Sequence, residues 1–176
     1  RYYINAQRYA GFPLAYQTIG SSMAVRARAY QQPGGMNKRQ AGEDFYFLHK
    51  FIALGNFTEF KTTKVIPSPR PSHRVPFGTG RAIGQIVKDD SNAYFTYAPK
   101  SFQVLKAFFE AVPSFYKKEL QLTNWPKPLA DFLLQQNASE KLAEIRANVA
   151  SAHSFKKRFF HWFNAFMLMK FLHFAR

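Results

Sequence analysis

The chain has no cysteine, so disulfides and thiolate metal sites are excluded, and a reducing compartment fits. No unbroken apolar run approaches the roughly 20 residues a membrane-spanning helix needs. Acidic residues are scarce: 10 Asp and Glu stand against 25 Lys and Arg, for a net charge of +15. That excess favours an anionic partner: a nucleic acid, a membrane face or a phosphate-rich ligand. The basic residues are spread along the chain, without an RNA-binding aromatic signature, zinc-finger spacing or recognition-helix pattern. Nucleic acid is therefore not the expected partner. No Asp-x-Asp occurs, and there is no internal repeat or low-complexity tract.

Aromatic residues are abundant: 18% of the chain, with 20 Phe. That rules against disorder and predicts a packed core with apolar surface to spare. Tyr2, Tyr3, Ile4 and Tyr9 read as the middle of an element already under way, so a fragment of a longer polypeptide is expected. Residues 1–10 read as the end of a helix, broken by Gly11-Phe12-Pro13. Tyr16 to Val25 alternates as a strand would, interrupted at Gly20-Ser21-Ser22. Arg26 to Tyr30 suits a short helix closed by Pro33-Gly34-Gly35. Asn37 to Gly42 is a basic loop. Glu43-Asp44 opens an apolar helix with Gly55 where a C-cap glycine belongs. Phe57 to Ile66 reads as strand, the prolines from Pro67 to Pro76 as extended loop, and Arg81 to Lys88 as helix. Tyr94 to Tyr97 reads as a further strand. From Pro99 the pattern is helical, over 100–112, 114–122, 126–136, 138–150 and 152–175.

The motifs Gly20-Ser-Ser-Met-Ala-Val-Arg26, Gly34-Gly35-Met36, Gly42-Glu43-Asp44-Phe-Tyr-Phe-Leu48 and Ser68-Pro-Arg-Pro-Ser-His73-Arg74 carry a resemblance. Over about residues 15–85 the chain resembles the second half of a bacterial family 2 glycosyltransferase of GT-A fold. The resemblance implies an α/β fold (α+β in this piece): residues 1–98 as the C-terminal part of the catalytic domain, 99–176 as a helical extension. It implies sugar transfer from a nucleotide-sugar donor to a saccharide or lipid-linked acceptor, with inversion, in the cytoplasm or at the inner membrane face. Asp44 would be the general base, with Glu43 as competitor. Gly20, Ser21 and Ser22 would border the donor sugar, and Gly34, Gly35 and Met36 would shape the substrate site. His73 would help hold a divalent metal, Mn or Mg, with the other ligands upstream of Arg1. This chain alone is then expected to be inactive.

The chemistry accounts for these residue types. Inverting transfer needs a base to take the proton of the attacking hydroxyl, and a carboxylate at a helix start is well placed for it. Leaving-group charge on a nucleoside diphosphate is met by metal, Lys or Arg. Arg70, Arg74 and Arg81 are candidates for phosphate contact, or solvated charge. Plainer roles exist for each residue. Asp44 could be an N-cap, Glu43 could pair with Lys38 or Arg39, and Gly34-Gly35 could be a turn. Gly78-Thr-Gly80-Arg-Ala-Ile-Gly84 is a weak dinucleotide fingerprint without its βαβ context. The run Phe155 to Phe174 is either a helix docking on an anionic membrane or core. A basic binding or scaffold module is the rival to the enzyme.

Overall fold

The computed structural model describes residues 2–38, 42–55, 57–66, 68, 70, 79–88 and 95–176. These residues fall into two compact units, one of residues 1–15 with 97–176 and one of residues 16–96.

The first unit is helical: α1 (Tyr2–Tyr9), α5 (Pro99–Ala111), α6 (Lys127–Gln135), α7 (Ala138–Ala147), α8 (Ala152–Trp162) and α9 (Ala165–Phe174). Pro99 starts α5, where its fixed φ and missing N–H cost nothing. Phe102, Leu105, Phe108 and Phe109 then recur at helical spacing and are all buried. Phe108 is the hub, with ring contacts to Phe109, Phe115, Trp125, Phe159 and Phe163. Phe159 and Phe163 stack at 5.7 Å with their planes 7° apart. Phe12, after the turn that ends α1, packs on Phe109 and Phe160. Burying each such ring stabilises the unit by about 1.5–3 kcal/mol.

Polar groups in this unit tie chain ends and turns. Arg146 on α7 donates from Nε to the carbonyl of Phe115 at 3.1 Å and from a terminal nitrogen to that of Lys118 at 3.1 Å. Tyr2 donates to the carbonyl of Tyr97 at 2.9 Å. The Tyr97 hydroxyl lies 2.7 Å from Nε2 of His173, and the Arg176 guanidinium stands 5.0 Å from the Tyr97 ring centre. Burial pushes the Tyr3 phenol above its ordinary range, and neighbouring Tyr97 adds to the shift.

The run expected as one helix over 152–175 is two. Phe163 ends the first and Asn164 caps the second, its Oδ1 accepting from the N–H groups of Phe166 and Met167 at 3.0 and 3.1 Å. Phe155, Phe159, Phe160, Leu168, Phe171 and Leu172 are buried. The apolar side of this run is thus core, while Lys156, Lys157 and Arg158 face solvent. Among the described residues no helix is long and apolar enough to cross a membrane.

The second unit holds α2 (Ala27–Gln31), α3 (Glu43–Leu54) and α4 (Thr79–Lys88). The α/β expectation is overturned: no strand occurs among the described residues. A strand needs a neighbour to pair its N–H and C=O groups. At Gly20–Ser22 the chain uses those groups in another way. The Ser22 N–H bonds the Ile19 carbonyl at 3.1 Å in a 3₁₀ turn, and the Gly20 N–H bonds a side chain. Residues 57–66 and 95–97, also expected as strand, are irregular.

Candidate functional site

The site is organised by α3. Its first turn carries Glu43 and Asp44, where the helix dipole favours negative charge. Gly42, at φ 77°, holds the N-cap position, so Asp44 is the second residue of the helix, within its first turn, rather than its cap. The Asp44 carboxylate accepts two N–H bonds: Oδ2 from Gly20 at 2.9 Å and Oδ1 from Phe45 at 2.7 Å. A carboxylate has about four lone-pair directions, so acceptor capacity remains on both oxygens.

Gly20 is required by proximity. A Cβ at position 20 would lie 2.7 Å from the Asp44 Cβ and 2.9 Å from Oδ2. Only a residue without a side chain lets this turn rest on the carboxylate. The Gly20-Ser21-Ser22 turn and Glu43-Asp44, two motifs singled out from the sequence, are therefore in contact across 24 positions.

The third motif reaches the same helix two turns on. Lys50 Nζ donates to the carbonyls of Pro33 at 2.9 Å and Gly35 at 3.3 Å. Gly35, at φ 69°, is buried, and a Cβ there would stand 2.9 Å from the Tyr30 ring. Tyr30 in turn packs on Phe47 of α3 at 5.2 Å. Met36 follows, half-buried. Lys50 and Tyr30 carry no motif signal, and only the packing shows their part in holding the glycine turn.

His49, one turn after Phe45, stacks edge-on against that ring at 4.4 Å. Burial pushes its imidazole down to about 4, so it is neutral at pH 7.

Arg70 and Arg81 are exposed, Arg81 on α4. His73 and Arg74 lie outside the described residues, as do Arg39 and Asp89-Asp90. Among the described residues no three His, Asp or Glu side chains gather as a metal site would require. The residues expected to hold Mn or Mg, His73 and ligands upstream of Arg1, lie outside the described residues. No family model matches this chain, and neither a curated protein nor a solved structure is significantly similar to it.

Proposed function

We infer that residues 16–96 contribute the acceptor-side base of a glycosyl transfer, with Asp44 taking the proton of the attacking hydroxyl. The observation that carries this reading is the Asp44 carboxylate: aimed by the N–H groups of Gly20 and Phe45, yet left with lone pairs to spare. A base aimed by backbone groups needs no reorganisation when the hydroxyl arrives. Transfer with inversion follows if that hydroxyl attacks the anomeric carbon from the side opposite a nucleoside diphosphate. Glu43, at the first helical position, is the competing base. Arg70 and Arg81, and Arg74 beyond the described residues, would meet diphosphate charge. A divalent metal would draw on His73 and on ligands outside the described set. The reading places the enzyme in the cytoplasm, where a lipid-linked acceptor would be met at the membrane face.

The test is turnover of a sugar-nucleotide panel with Mn²⁺ by the full-length protein. Asp44→Asn keeps an oxygen for the Gly20 N–H but cannot take a proton. Its kcat should fall about 100-fold or more, with donor affinity held. Equal loss in Glu43→Gln and none in Asp44→Asn would move the role to Glu43. Absence of donor binding by the unaltered protein would sink the transferase reading.

One observation favours a second reading, a basic module on an anionic membrane. Phe60 is 76% exposed and Ile66 90% exposed, flanking Lys61 and Lys64. Binding to anionic vesicles that fades with salt, without sugar-nucleotide binding, would support it.

A further inference from the structure

The helical unit has an open depression of about 370 Å³ between the turn that follows α5 and the turn that precedes α6. Trp125 lines it together with Ser114, Lys118, Glu119, Gln121 and Asn124. The indole is half-buried and held from behind, edge-on to Phe108 at 5.1 Å and to Phe115 at 6.4 Å. Arg146 bonds the carbonyls of Phe115 and Lys118, which fixes the backbone of one wall. The rim is polar and unspent. The side chains of Lys118, Glu119, Gln121 and Asn124 are exposed and make no hydrogen bond or ion pair within the described chain, and neither does the Trp125 N–H. Ser114 differs, since its hydroxyl already bonds the carbonyl of Ala111 at 2.7 Å.

We propose that this depression is a binding site for a neutral saccharide, with one pyranose ring seated on Trp125. A pyranose has one face of C–H groups and an equator of hydroxyls. The C–H face suits an anchored indole, whose π face carries negative charge density. The hydroxyls both donate and accept, and the rim offers both. The amides of Gln121 and Asn124 can bridge a vicinal diol, Glu119 accepts, and Lys118 donates. The nearby ammonium and carboxylate oppose each other in sign, so the rim has no net preference for an anionic sugar. The volume suits a mono- or disaccharide, at the low end for small-molecule sites. A shallow site with a single aromatic platform implies weak binding, in the millimolar to high-micromolar range, as for one module of a multivalent contact. The proposal stands on residues 111–125 and does not depend on the role of Asp44.

The protein holds two tryptophans, Trp125 and Trp162, so Trp162→Phe leaves Trp125 as the sole indole reporter. This variant would be titrated with neutral gluco-, galacto- and manno-oligosaccharides and, in parallel, with their uronic-acid counterparts. The expected result is a saturable change in Trp125 emission with at least one neutral sugar. Saturation-transfer NMR on the unaltered protein should show contact to the sugar C–H face. Binding should weaken about tenfold or more in Trp125→Ala. Since that variant can disturb the packing on Phe108, Gln121→Ala and Asn124→Ala serve as surface variants, each expected to weaken binding about threefold to tenfold. No saturable response to any neutral sugar at tens of millimolar would overturn the proposal. So would a response that survives all three substitutions, or saturation by the uronic acids alone.

Discussion

The two units solve the same problem with very different means. In residues 1–15 and 97–176 every helix contributes buried apolar side chains, and the Phe rings of α5, α8 and the following turn interlock around Phe108. In residues 16–96 the buried apolar residues among those described are Phe47, Leu48, Phe51 and Ile52, all from α3. Ring contacts of Tyr30 with Phe47 and of Tyr16 with Phe57 add to these, and hydrogen bonds tie turns to α3: the Gly20 N–H donates to Asp44, and Lys50 donates to Pro33 and Gly35. Phe60, Ile66 and Phe95 meanwhile stand 76%, 90% and 90% exposed. One unit is held together by apolar packing. The other spends polar contacts on placing turns, which suits a site better than a core.

The sharpest way to test this contrast is Phe108→Ala. Phe108 is fully buried and touches five other rings, so the cavity cannot collapse cheaply. Loss of about 3–5 kcal/mol is expected from the helical unit, measured by urea denaturation. Protection of α3 amides from hydrogen exchange should change far less. Equal loss in both places would mean that the units unfold as one.

A second effect should strike only residues 16–96. The His49 imidazole is held down to about 4 by burial, against an ordinary value of 6.5. The unfolded chain therefore binds a proton between those two values that the folded chain refuses. Stability is unaffected above pH 6.5 and falls as pH drops from 6.5 toward 4, by on the order of 3 kcal/mol in all. Hydrogen exchange in α3 at pH 7 and 4.5 should register the loss, and His49→Gln should flatten it. An unchanged pH slope in that variant would assign the acid sensitivity elsewhere.

Gly20→Ala probes the contact between two motifs. The added methyl must push against Asp44 at 2.7 Å, and the N–H bond to Oδ2 goes with it. A cost of about 1–3 kcal/mol is expected. In an Asp44→Gly background both the Cβ it would meet and the bond are already gone, so the same change should cost much less. Additive effects would show that the two residues are not coupled.

The helices were readable where periodicity and punctuation agree. Apolar spacing with Gly55 as a stop located α3, and Pro99 with the spacing of Phe102, Leu105 and Phe109 located α5. The expected strands failed because alternation is a property of one segment and a ladder is a property of two. Nothing within Tyr16–Val25 says that the Gly20 N–H will go to a carboxylate 24 positions on. For the site, the motif residues Gly20, Gly35 and Asp44 were visible as types. Lys50 and Tyr30, which hold the glycine turn, look like any surface lysine and tyrosine until the turn is packed against them.

Asn164 gives the smallest effect and isolates a cap from a core. The sequence from Ala152 to Ala175 supports one unbroken helix, yet the structure breaks it at Phe163 and Asn164. Two causes compete. The Asn164 side chain satisfies two N–H groups of α9, and Phe163 and Leu168 are both fully buried on either side of the break. If packing holds the bend, Asn164→Ala should cost about 1 kcal/mol, the ordinary value of an N-cap, and leave helix content unchanged by circular dichroism. If the cap holds the bend, the variant should gain helix as the two segments join. Phe163 would then rotate out of its stack with Phe159, and the loss would exceed the capping value. The ring contacts of Phe163 with Phe108, Phe109 and Phe132 all oppose that rotation, so the smaller loss with unchanged helicity is the expected outcome.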